Sequence, residues 1–312
     1  LKNKRITKTF FVIIAISLLL SGCNTEAPAK VSSDKLKVYV SFYPIYFAAD
    51  QIGKDKIELY SVIPNGSEPH DYEPSIREIA NVENGDIFIF NGVGMEPWAE
   101  KLSDNLARKE VQTLNLSEYV DLIKLEDEDH NHKDHDHGLY DPHIWLDPIN
   151  MNKIAYQIMI EFSELDKPNE SFYKKSYEEF SEKLLELDLS FRSGLENLSE
   201  KDILVSHQAF GYLTKRYGLE QIAVTGITPH EEPSPGAIAK LLDIIEEEKF
   251  EYIFLESLAS PKVVELLARE GNLQVLELNP ISGLTKEQQE KKEDYFSLMM
   301  KNLENLKKAL VR

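Results

Sequence analysis

ESFYKKSYEEFSEKLLELDLSFRSGLENL, residues 170–198, interrupts the alternation of short β-prone runs and helical segments on either side of it. Phe172, Tyr173, Tyr177, Phe180, Leu184, Leu187, Phe191, Leu195 and Leu198 recur at spacings of mostly three or four. That is the apolar stripe of one long amphipathic helix. Pro168 stands just before it, and Asn169 or Ser171 is suited to cap its start. At roughly 1.5 Å per residue the helix would run about 40 Å. Such an element serves either as a stiff spine between two domains or as a packing helix inside one.

Outward from the spine, short β-prone runs alternate with helical segments on both sides. Strands are expected at 36–40, 57–63, 86–91 and 111–116 before it, and at 203–206, 221–225, 252–256 and 273–278 after it. Amphipathic stretches at 238–248 and 261–270 fall between strands. Alternation of this kind favours α/β units with mostly parallel sheets. The expected architecture is two α/β lobes, each with a four-stranded sheet flanked by helices, joined by the long helix. The expected boundaries are 35–168 for the first lobe, 169–199 for the linking helix and 200–312 for the second lobe.

The N-terminal end reads as an export signal. Lys2, Lys4, Arg5 and Lys8 precede an apolar run over residues 10–20, about half the ~20 residues a membrane span requires. Residues 1–22 are therefore assigned as a signal peptide. Leu20-Ser21-Gly22-Cys23 follows, and Cys23 is the only cysteine. This segment resembles the lipobox of bacterial lipoproteins, which makes Cys23 the expected lipidation site and residues 23–34 a lipidated tether. One cysteine also excludes an internal disulfide framework. The net charge is −19 and the signal contributes only positive charges, so the remainder is more acidic still. Nucleic acid is thereby disfavoured as a partner, because phosphate contacts need Lys and Arg.

Eight histidines fall into two populations. His130, His132, His135 and His137 sit in EDEDHNHKDHDHG, residues 126–138, a stretch with almost no apolar content. Alternating imidazoles and carboxylates on such a loop bind metals weakly, since the loop must first be ordered; a solvated acidic loop without a metal role is the alternative. His70, His143 and His207 occur instead in structured surroundings, PNGSEPHDYEPS, DPHIWLDP and LVSHQAFGYL. His70 and His207 lie beyond expected strands, where ligand sites of open α/β sheets gather. His230, in GITPHEEPSP, reads as a structural or surface residue.

The chain resembles the metal-specific solute-binding lipoproteins of ABC importers, the family that binds zinc and manganese. The resemblance is carried in order by the lipobox, FYPIYFAADQIG, EPHDYEPS, the acidic His-rich loop, DPHIWLDP, SHQAFGYL, EEPSPGAIAKL and YFSLMMKNLENLKKAL. It implies two α/β lobes joined by one long helix, a metal buried between them, and His70, His143 and His207 as ligands. It also implies a membrane permease of an ABC importer as partner, an extracellular, lipid-anchored location and a monomeric chain, with the Lys- and Ile-rich composition pointing to a Gram-positive source. The fourth family ligand is often a carboxylate from the segment that here reads LNPISGL, which carries Asn279 and Ser282 and no acid. Glu256 at the end of a strand is the expected replacement, with a water or Glu68 as alternatives.

Three imidazoles make a borderline-soft site suited to Zn²⁺ and copper, whereas manganese sites lean on oxygen ligands. Zinc tolerates a tetrahedral set completed by water. Ligation needs deprotonated imidazoles, so affinity should fall as pH drops toward and below about 6.5. A zinc-dependent hydrolase is the competing class, since three histidines plus water can also polarise a nucleophile. No HExxH pair, GxSxG elbow or Walker-type loop supports it. An additional adhesin role, which the resemblance allows, would need a partner surface that the sequence does not display.

Overall fold

Leu36, Val38 and Val40 turn one face of the first strand into the core, and the next strands build on it in parallel. The computed structural model describes residues 35–125, 140–229 and 232–311. Cys23, the signal and tether, the four loop histidines and His230 lie outside the described residues. The first sheet comprises β1 (Leu36–Val40), β2 (Ile57–Ser61), β3 (Ile87–Phe90) and β4 (Gln112–Asn115), in the order β2-β1-β3-β4. The second comprises β5 (Asp202–His207), β6 (Glu220–Thr225), β7 (Tyr252–Leu255) and β8 (Gln274–Glu277), in the order β6-β5-β7-β8. Every pairing is parallel. All four residues of β3, Ile-Phe-Ile-Phe, are buried, as expected of a parallel strand covered on both faces.

Both sheets repeat one winding. The chain passes from β1 to β2 on one side and then to β3 on the other; β5, β6 and β7 do the same. Each sheet therefore has a switch point beside its first strand, where the carboxyl ends open a crevice.

The helices of the first half are α1 (Tyr43–Gly53), α2 (Ile76–Val82), α3 (Pro97–Leu106) and α4 (Pro148–Leu165). The long helix, α5, spans Glu170–Leu195 and buries Tyr173, Phe180, Leu184, Leu187, Phe191 and Leu195 along one stripe. It ends three residues before the expected 198, and Leu198 packs against the core from the following turn. Asn169 does not cap it: its Nδ2 donates to Asp166 Oδ2 at 2.8 Å, within a 3-10 turn (Lys167–Asn169) that leads into the helix. The second half adds α6 (Gly211–Tyr217), α7 (Pro235–Glu248), α8 (Lys262–Glu270), α9 (Lys286–Glu290) and α10 (Tyr295–Leu310). Among the described residues no helix is long and apolar enough to cross a membrane.

One apolar cluster draws on both sheets and on α1, α4, α5 and α10, so the described residues of both halves share one core. Trp145, 1% exposed, stands within it. Its ring meets Phe42 edge-on at 5.0 Å, its Nε1–H donates to the Pro280 carbonyl at 2.7 Å, and its own carbonyl accepts from Tyr295 Oη at 2.8 Å. A buried aromatic of this size contributes on the order of 2 to 3 kcal/mol through burial alone. Trp145 also ties the segment carrying His143 to the second half of the chain.

Candidate metal centre

Three local structures deliver the three imidazoles. His70 lies in a single 3-10 turn, Pro69–Asp71, in the loop after β2. Pro69 presets the first turn position, and the Glu68 carboxylate accepts the His70 backbone N–H at 3.4 Å. His143 precedes a 3-10 turn (Ile144–Leu146), after which Asp147 caps α4 by accepting the Ile149 N–H at 2.8 Å. His207 is the last residue of β5, at the switch point of the second sheet.

The side chains converge through their Nε2 atoms. His143 Nε2 stands 3.3 Å from His70 Nε2 and 3.4 Å from His207 Nε2, and one ligand atom from each of the three residues lies within 4.8 Å of the others. His143 is 1% and His207 2% exposed, and His70 is half-buried.

Two carboxylates stand behind the rings. Asp141 Oδ1 accepts from both the backbone N–H and the Nδ1–H of His143, at 2.9 and 2.8 Å. Glu256 Oε1 accepts from the Nδ1–H of His207 at 2.5 Å, from its backbone N–H at 3.2 Å, and from the Ser206 hydroxyl. With hydrogen on Nδ1, each Nε2 presents a lone pair to the common space. Lone pairs at this separation repel unless a proton or a cation stands among them. A tetrahedron with metal–nitrogen bonds of about 2.05 Å has edges of about 3.35 Å. The two Nε2 separations fall on that edge length.

Burial sets the electrostatics. It pushes His143 well below the ordinary imidazole range, with the neighbouring His207 adding to the effect, so His143 is neutral and able to ligate at neutral pH. It pushes Asp141 up to about 7, against the pull of the His143 N–H and of His207. Glu68 also rises to about 7 through burial, opposed by His207 and the His70 N–H. A cation among the imidazoles would favour the ionised form of both acids.

The structure brings together His70, His143 and His207. It sets Glu256 elsewhere than the expectation did: its Oε1 lies on the Nδ1 side of His207, across the ring from the converging nitrogens, because β7 runs beside β5. Asp141 was not singled out from the sequence, although an acid two residues before a candidate ligand histidine is the signal that would have found it. Glu96 was missed as well. It is 1% exposed and accepts the Asn91 and Gly92 N–H groups at 2.8 and 3.2 Å. Residues 92–94 all have left-handed φ (81°, 49° and 79°), and that turn lets Asn91 Nδ2 donate to the Pro142 carbonyl at 2.9 Å, next to His143.

The family described as zinc-uptake complex component A, periplasmic (ZnuA), matches residues 38–309. The high-affinity zinc uptake system protein ZnuA of Bacillus subtilis (strain 168) is 36% identical over 309 residues, 96% of this chain and 97% of that protein. The zinc-binding lipoprotein AdcA of Streptococcus pneumoniae is 33% identical over 94% of this chain, which spans only 59% of that longer protein. Among solved structures, the Zn(II)-bound ZnuA-like domain of Streptococcus pneumoniae AdcA superposes with a TM-score of 0.77 at 33% identity, covering 89% of this chain and 100% of that one.

Proposed function

The chain belongs to the ZnuA family, the solute-binding component of zinc uptake, and on that premise we propose that His70, His143 and His207 are the ligands with which it captures zinc. The observation that carries the assignment is the pair of Nε2 separations, 3.3 and 3.4 Å, which match the edge of a tetrahedral zinc–imidazole site. A water completes the set. Asp141 and Glu256 hold His143 and His207 in the tautomer that offers Nε2, and the added negative charge strengthens the imidazoles as donors. Three nitrogens favour Zn²⁺ over Mn²⁺.

The zinc is cargo. The family is one of transport proteins rather than enzymes, and the Asp141 and Glu256 carboxylates are committed to imidazole N–H groups, while Glu68 accepts the His70 backbone N–H. Family members work with the permease of an ABC importer, and we assign this chain the same partner, with lipid attachment at Cys23 holding a monomer at the outer face of the membrane. The lobe boundaries at 168 and 200, with α5 linking them, belong to the same reading.

Competition titration against a chromophoric zinc chelator tests the assignment. The protein should hold one zinc tightly, and His70→Ala, His143→Ala and His207→Ala should each weaken it by more than ~100-fold, beyond the usual cost of losing a supporting group. Deleting residues 126–138 should remove only weaker, additional zinc and leave the tight site unchanged. Wild-type affinity in the three alanine variants would sink the ligand set.

A further inference from the structure

Asp141 is held from both halves of the molecule. Its backbone N–H donates to the Ile123 carbonyl at 2.9 Å, and its Oδ1 accepts from His143, all within the first half. Further contacts come from the start of α6, in the second half. The Tyr212 hydroxyl donates to the Asp141 carbonyl at 2.9 Å and accepts the Ile123 N–H at 3.1 Å. Gly211 lies against the carboxylate itself: a Cβ added there would stand 2.3 Å from Asp141 Oδ2. Real atoms do not approach so closely, so only glycine lets the carboxylate take the rotamer that reaches His143 Nδ1.

The start of α6 is in turn fixed to the second sheet. Gln221 of β6 accepts the Phe210 N–H at 3.0 Å, and β6 pairs with β5 in continuous register. His207 and Gly211 are four residues apart, with the Ala209 N–H turned back onto the His207 carbonyl at 2.9 Å. One rigid piece of the second half thus carries both a ligand candidate and the surface that shapes the support of another.

We propose that Gly211 and Tyr212, neither of which reaches the metal space, are positioning residues for zinc capture that act on His143 through Asp141. The inference rests on the reading of the three histidines as ligands. Gly211 supplies the gap in which the carboxylate sits, and Tyr212 fixes the backbone from which that carboxylate extends. A side chain at 211 drives Oδ2 away and rotates Oδ1 off Nδ1. His143 then loses the acceptor that fixes its tautomer and ring plane. The clasp also links the two halves: moving α6 away from Asp141 withdraws His207 and unfastens His143 in the same step.

Zinc affinity measured by chelator competition on Gly211→Ala, Tyr212→Phe, Asp141→Ala and the two double variants tests the clasp. Loss of a supporting group costs about 10- to 100-fold in metal affinity. Gly211→Ala should fall in that range and Tyr212→Phe near its lower end. Neither should weaken binding further in the Asp141→Ala background, because the path runs through that carboxylate. A merely structural role would not produce that non-additivity. Full losses on top of Asp141→Ala, or wild-type affinity in both single variants, would overturn the proposal. Should Gly211→Ala fail to fold, Tyr212→Phe and its double variant decide alone. If the wild type holds no tight zinc, or His143→Ala retains it, the ligand reading fails instead; if those behave as expected while the clasp variants bind normally, the clasp alone fails.

Discussion

Glu256 has three donors on one oxygen: the His207 Nδ1–H, the His207 backbone N–H and the Ser206 hydroxyl. Replacing it with Gln keeps an acceptor but removes the charge that strengthens the imidazole as a donor. Glu256→Gln should therefore weaken zinc about 10-fold and Glu256→Ala toward 100-fold, read by chelator competition; an unchanged affinity in both would show that His207 orients itself. Glu96 yields a prediction of another kind. Burial raises its folded pKa to about 7, while backbone N–H groups and Ser41 pull the other way. A carboxyl whose pKa is raised on folding binds its proton more tightly in the native state. Its contribution is fully present below the unfolded value, near 4.5, and is lost as pH rises through 7. Between pH 5 and 8 this group should remove on the order of 3 kcal/mol of stability. Glu96→Gln should flatten that slope in urea titrations of the metal-free protein; an unaltered slope would place the titration elsewhere. At this scale His70, His143 and His207 were legible as candidate ligands chiefly through EPHDYEPS, DPHIWLDP and SHQAFGYL, the motifs that carry the family resemblance. Glu256 was picked out as a candidate ligand, but its hydrogen bond to His207 Nδ1 was not legible, since it joins positions 49 apart and depends on β7 lying beside β5.

Helix α5 is more than an apolar stripe, because Asp188 is buried within it. Burial alone would raise this carboxyl, yet Arg216 and Arg192 hold it below its ordinary value. Asp188 Oδ1 accepts from Arg216 Nε at 2.6 Å and from Tyr217 Oη at 3.1 Å, and Oδ2 accepts from Arg192 Nε at 2.9 Å. Arg216 also reaches Asp147 Oδ1, the cap of α4, at 3.1 Å. The knot thus fastens α4, α5 and α6, the elements that flank His143 and follow His207. Removing one member of a well-buried pair strands the other, so Asp188→Ala should destabilise the protein by roughly 3 kcal/mol in chemical denaturation. A loss under about 0.5 kcal/mol would reduce the knot to an ordinary surface contact. All eight strands and the long helix fall within three residues of where the sequence puts their ends, because buried parallel strands form short β-prone runs and the stripe of α5 keeps its period. The order β2-β1-β3-β4 was not legible: it depends on which side each crossover takes, and no local residue pattern encodes that.

Across the whole molecule, the shared core and the histidine cluster make opposite halves depend on each other. The main apolar cluster includes Val38 and Ile89 from the first sheet, Phe180 and Phe191 from α5, and Val205 and Phe254 from the second sheet. Its interior contains Trp145, whereas Trp98, the only other tryptophan, is only partly buried and packs against both this cluster and a smaller one in the first half. In a Trp98→Phe variant, fluorescence therefore reports on the shared core alone, while circular dichroism reports on all helices. Both signals should trace one coincident transition in urea, as a single cooperative unit requires. Zinc should then move that transition as a whole. A ligand held only by the native state adds RT ln(1 + [L]/Kd), about 4 kcal/mol at a thousandfold excess over Kd. If the proposed ligands hold the ion, His70 and His143 lie on one side and His207 on the other, and neither half can unfold and keep it. The stabilisation should consequently appear in both signals and fall to about 1.4 kcal/mol or less in His143→Ala at the same zinc concentration. Two separated transitions, only one of them shifted by zinc, would show that the halves unfold independently and that the ion rests on one of them.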